Sequence, residues 1–61
     1  MNRYRIIVRF NVGPAGQRTR AQAEYELTAT NIPMACRQVF QRLPAGAVVT
    51  RKPDAFHLGY V

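Results

Sequence analysis

An α+β fold of order β-β-α-β-β, one antiparallel sheet with a single amphipathic helix packed on one face, is what this sequence predicts. Two segments alternate apolar and polar residues with period two, as half-buried strands do. One later segment repeats apolar residues every three or four positions, as a helix does. Gly- and Pro-rich breaks separate these runs.

The first strand is expected over 3–12. Tyr4, Ile6, Val8, Phe10 and Val12 fall in one phase, and Arg3, Arg5, Ile7, Arg9 and Asn11 in the other. A helix would scatter those arginines around its circumference. Gly13-Pro14-Ala15-Gly16 then breaks the pattern, since glycine permits positive φ and proline removes a ladder donor. A second alternation runs over 20–29, with Ala21, Ala23, Tyr25, Leu27 and Ala29 in phase. The two strands form a hairpin with a loop longer than two residues. Several registers set Glu24 or Glu26 across from Arg5 or Arg9, a favourable pairing.

Asn31 is the expected helix N-cap, with Pro33 in the first turn. Ile32, Ala35, Cys36, Val39, Phe40 and Leu43 make the apolar stripe, and Arg37, Gln38, Gln41 and Arg42 the other side. Pro44 and Gly46 end the helix. Val48-Val49-Thr50 is β-prone, and Lys52-Pro53-Asp54-Ala55 reads as a type I turn. Phe56, Leu58 and Tyr60 alternate with His57, Gly59 and Val61, which suggests a second, shorter hairpin. The expected core is Tyr4, Ile6, Val8, Phe10, Ala23, Tyr25, Leu27, Ile32, Cys36, Val39, Phe40, Leu43, Val49, Phe56 and Leu58. One helix covers only part of such a sheet, and strand edges stay unpaired, so a homodimer is expected.

The 61 residues make one small domain, 1–61. A chain of this size buries only about 60% of its unfolded surface, so a deep cleft is not expected. Its single cysteine, Cys36, excludes an intrachain disulfide. With no secretory signal pattern and no apolar run near about 20 residues, a cytoplasmic location and no membrane partner are expected. Serine is absent, and His57 and Asp54 are the single His and Asp. That inventory is too sparse for nucleophile–base catalysis or a metal centre, so no enzyme, cofactor or metal is expected.

Charge is the informative feature. Nine Lys+Arg against three Asp+Glu give a net charge of +6. Eight of the nine cations are arginine, which a GC-rich coding sequence would also favour, but the scarcity of acids remains. Arg3, Arg5 and Arg9 share the outward phase of the first strand, Arg20 that of the second, and Arg18 sits at the hairpin base. Alternate residues on a strand lie about 7 Å apart, near the spacing of successive nucleic-acid phosphates. The arginine fork suits phosphate oxygens. Arg37 and Arg42 on the helix, and Arg51 and Lys52 in the second turn, are secondary candidates. The aromatics all fall in core phases, which argues against a base-stacking platform.

Cys36 reads as a core residue, and Asp54 as a turn residue. His57 is expected to face away from the helix. A general-base role there, in a small ribonuclease, is the least favoured reading. The favoured expectation is non-enzymatic nucleic-acid binding, DNA or RNA, through phosphate contacts on an arginine-rich sheet face. The alternative is a small protein-interaction module docking on an acidic surface of a larger protein.

Overall fold

A computed structural model describes all 61 residues. The elements run β1 (Asn2–Val12), β2 (Thr19–Ala29), α1 (Ile32–Arg42), β3 (Val48–Val49) and β4 (Asp54–Tyr60). The four strands form one antiparallel sheet, so the α+β architecture agrees with the sequence reading. β1 and β2 pair over their whole 11-residue lengths, from Asn2↔Ala29 to Val12↔Thr19. The hairpin turn is closed by the Gln17 amide donating to the Pro14 carbonyl at 3.0 Å. Gly16 takes the positive φ of 85° that the third residue of this turn needs.

The even residues of β1 carry the core. Tyr4, Ile6, Val8 and Phe10 are buried together with Ala29, Ala35 and Val39. Ile6, Val8 and Val39 have no exposed surface, and each such burial contributes about 1.5–3 kcal/mol. α1 starts where Asn31 Oδ1 accepts the Met34 amide at 3.0 Å, with Pro33 in the first turn. It stops at Leu43, whose ψ of 153° is the extended geometry that Pro44 imposes. Arg42 lies in its last turn, where a cation suits the helix dipole.

The second half of the chain departs from expectation. β3 and β4 do not form a hairpin with each other, and no turn reverses the chain at Lys52-Pro53-Asp54-Ala55. Both strands lie in succession along the free side of β1. β3 pairs at Phe10↔Val49, and β4 runs from Ile7↔Asp54 to Asn2↔Tyr60. β1 is therefore central, with β2 on one side. A register shift between Arg3 and Tyr4 interrupts the β1–β4 ladder.

That arrangement inverts the expected phase of β4. Phe56 is opposite Arg5, on the face away from the helix, and is 50% exposed. His57 is opposite Tyr4, on the helix side, with its ring centroid 5.5 Å from that of Tyr4. Leu58, Val49, Ile32 and Phe40, all expected in the core, are exposed. Ala23, Tyr25, Leu27, Cys36 and Leu43 pack only at its margin. The reason is geometric. α1 packs mainly on β1 and β2, so of the apolar side chains on β3 and β4 Ala55 alone packs against the core.

Candidate nucleic-acid interface

The open face of the sheet carries the odd residues of β1 and their cross-strand neighbours. It divides into two halves of different electrostatic character. In the half nearest the strand start, β1 supplies Arg3 and Arg5, and β2 supplies Glu26 and Glu24. Arg5 Nη2 donates to Glu26 Oε1 at 2.9 Å. Arg5 Nε lies 3.1 Å from Glu24 Oε1 but is not aligned for a hydrogen bond, so that contact is coulombic. Arg3 Nη2 reaches Glu26 Oε2 at 3.8 Å. The hydrogen bond to Glu26, then the charges of Glu24 and Glu26, hold the Arg5 guanidinium above its ordinary pKa. This ladder is internally neutralised, which removes Arg3 and Arg5 from the expected phosphate-tracking patch. Phe56 lies beside it as one outward aromatic. The expectation that every aromatic faces the core is therefore corrected.

The far half is different. Here Arg9 is opposite Gln22, and Asn11 is opposite Arg20. The Thr50 amide donates to the Arg9 carbonyl at 3.1 Å, and the Thr50 hydroxyl to the same carbonyl at 3.2 Å. These two bonds bring the β3–β4 connection, and with it Arg51, against this part of β1. Arg9, Asn11, Arg20, Gln22, Thr50 and Arg51 line a depression of about 510 Å³. Its lining contains three arginines, amide and hydroxyl side chains, and no carboxylate.

Arg9 is the shared member. Its Nη1 donates to Asp54 Oδ2 at 2.8 Å. That hydrogen bond, aided by the charges of Arg9 and Arg51, holds the Asp54 carboxyl below its ordinary range against a smaller opposing effect of desolvation. Asp54 is thus an internal anion that neutralises one arginine of the depression while itself lining a second concavity, and the expected turn role is corrected, since Asp54 begins β4. All three acids of the chain are now accounted for, each paired with an arginine of β1. The six remaining cations, Arg18, Arg20, Arg37, Arg42, Arg51 and Lys52, equal the net charge of +6.

Of the expected site residues, the fold gathers Arg9, Arg20 and Arg51 at one place. Arg18 lies outside this lining, in the hairpin loop one residue before β2. Arg37 and Arg42 lie on α1, in the other layer. Lys52 borders a second concavity of about 860 Å³, lined also by Ile32, Cys36, Phe40, Arg51, Asp54 and Ala55. Asn11, Gln22, Thr50 and Asp54 were missed by sequence reasoning. A signal for Asp54 existed. Once Arg5 takes Glu24 and Glu26, Asp54 is the one acid left for Arg9.

His57 does not join the arginine depression. Its Nε2 is 3.0 Å from Asn2 Oδ1, and its ring stands edge-on to Tyr60 at 5.3 Å. No three His, Cys, Asp or Glu side chains are grouped as metal ligands. No helix is long and apolar enough to cross a membrane. No known protein family, curated protein or solved structure matches the chain.

Proposed function

We propose that this chain binds nucleic acid non-enzymatically, by phosphate-backbone contacts in the far half of its open sheet face. The observation that carries the proposal is the depression lined by Arg9, Arg20 and Arg51 with no carboxylate in its lining. Arg9 is held by Asp54, so Arg20 and Arg51 are the guanidinium groups of the depression left free for phosphate, with Arg18 two residues before Arg20 and alternate residues of a strand about 7 Å apart, close to the step between phosphates on one strand. Each guanidinium offers a planar fork to phosphate oxygens. Asn11, Gln22 and Thr50 add neutral donors of the kind that fix register along a backbone. Arg18 extends the cationic track toward the hairpin tip. Release of condensed counterions drives the association and makes it salt-dependent.

The test is fluorescence anisotropy with duplex DNA, single-stranded DNA and duplex RNA over a salt series, beside an unrelated basic domain of equal charge. Binding tighter than the control, with a preference among the three, supports the proposal. Binding no tighter than the control refutes it.

A second reading, docking on an acidic surface of a larger protein, is favoured by the concavity between α1 and the β3–β4 connection. Its lining combines the exposed Ile32 and Phe40 with Arg51, Lys52 and Asp54, the last already held by Arg9. An acidic segment with one apolar anchor side chain complements that pattern. Amide shifts confined to Ile32, Cys36, Phe40 and Ala55 on adding an amphipathic Glu/Leu peptide support it. Shifts centred on Arg9 and Arg20 exclude it.

A further inference from the structure

The sheet has two edges, and they are built differently. The β3–β4 edge is blunted: β3 has two residues, Pro53 stands in the gap, and the ladder shifts register near Tyr4. Each of these features discourages pairing with another chain. The β2 edge has none of them. It runs 11 residues without Pro, Gly or Lys, and its pairing to β1 has no irregularity.

The Thr28 carbonyl points outward from this edge, because it accepts from Gln38 Nε2 of α1 at 3.2 Å. Alternate residues of a strand present their backbone groups to the same side. Arg20, Gln22, Glu24 and Glu26 therefore also face outward with unused amides and carbonyls. Gln38 occupies the end of the edge at Thr28 and leaves the stretch from Arg20 to Glu26 open.

We infer that this stretch pairs antiparallel with the same stretch of a second copy, about a twofold axis at Ala23. This inference rests on observations separate from the nucleic-acid reading, but the two compete for Arg20, because the pairing brings a Glu26 carboxylate of the second copy opposite it. Self-complementarity selects the occupant and the register. Centring on Ala23 sets Arg20 opposite Glu26 and Gln22 opposite Glu24, each twice by symmetry. On the helix side it sets Tyr25 opposite Ala21, where the small residue leaves room for the ring. Sliding to an axis at Glu24 puts two carboxylates face to face, which is destabilising. Sliding to an axis at Gln22 also sets Arg20 opposite Glu24, but it carries Glu26 opposite Arg18 and Leu27 opposite Gln17, both in the loop outside β2, so the paired stretch is shorter. The ladder from 20 to 26 also stops short of Thr28, so the Gln38 bond survives.

Sedimentation equilibrium over a range of protein concentrations tests this directly. The wild-type chain is expected to be dimeric. Gln22→Pro removes an outward amide, which an edge strand tolerates. It is expected to give a folded monomer, with unchanged far-ultraviolet circular dichroism. Charge reversal then tests the register. Arg20→Glu alone and Glu26→Arg alone each place like charges opposite one another twice, weakening association by roughly tenfold. An equimolar mixture of the two variants restores Glu–Arg pairs at both positions and is expected to regain wild-type association as a heterodimer. A wild-type monomer at every concentration, a dimer that survives Gln22→Pro, or a mixture no stronger than its components overturns the inference.

Discussion

Replacing Arg20 and Arg51 by Gln, and separately Arg3 and Arg5 by Gln, separates position from net charge. Both double variants lose two positive charges from a chain of net charge +6. They differ in what those charges do. Arg3 and Arg5 are spent on Glu24 and Glu26, whereas Arg20 and Arg51 have no carboxylate within ion-pair distance and line the depression. Duplex binding loses about 0.9 in logarithmic salt slope per phosphate contact. With Arg18, Arg20 and Arg51 each holding one phosphate, the slope is about −2.7, so affinity falls about fortyfold between 50 and 200 mM salt. Arg20→Gln with Arg51→Gln leaves about one contact and a fall of only about threefold to fourfold over that range. Arg3→Gln with Arg5→Gln is expected to keep the wild-type slope. Anisotropy titration of a labelled duplex at four salt concentrations measures all three. Equal loss of slope in both double variants would refute the reasoning, because overall charge, not its placement, would then set the affinity.

Asp54→Asn removes the internal anion that holds Arg9 and is expected to tighten duplex binding and steepen its salt slope by about 0.9; the same titration reads this. The same variant has a pH signature. The Arg9 hydrogen bond depresses the Asp54 pKa in the folded chain, so its stabilisation is present above the unfolded carboxyl value of about 3.9 and is lost as pH falls through the lower folded value. Denaturation at a series of acid pH values is expected to show a shallower loss of stability below about pH 4 in Asp54→Asn. Asn31→Ala deletes the cap on Met34 and is expected to cost about 0.5–2 kcal/mol, seen as a lower urea midpoint with unchanged slope. Ile6→Ala, at a position with no exposed surface, is expected to cost about 2–5 kcal/mol. That is a large share of the roughly 3–9 kcal/mol typical of a chain this long, so circular dichroism is expected to show a clearly lowered thermal midpoint.

The hairpin and the helix were legible because each is written in a local code. Alternation from Tyr4 to Phe10 fixes which face of β1 is buried, and Asn31, Pro33 and Pro44 mark the helix ends. β4 was misread because the same alternation carries no information about cover. Phe56 and Leu58 look like a core phase, yet the single helix packs mainly on β1 and β2. Ala55 and His57 take the helix side instead. The arginine face was half legible. Sequence phase placed Arg3, Arg5, Arg9 and Arg20 together, but which of them are neutralised depends on register. Register is set by the loop Gly13–Arg18, whose geometry alternation does not encode. Arg51 joins the depression through two bonds from Thr50 to the Arg9 carbonyl, a contact between residues 41 positions apart.

The central place of β1 bears on the order of events during synthesis. β1 is made before β4 and needs it to fill its second side. Ribosomes extend a chain by about 5–20 residues each second, so the nascent hairpin waits a few seconds between completing β2 and receiving β4. Through that interval one side of β1, from Asn2 to Ile7, lacks its ladder partner. Arg3 and Arg5 are already paired with Glu24 and Glu26 of β2 at that stage, so the waiting edge carries little net charge and its open backbone groups are the exposed feature. Closure of the sheet by β4 is therefore the step that ends the exposure of an unpaired strand edge in the middle of the fold.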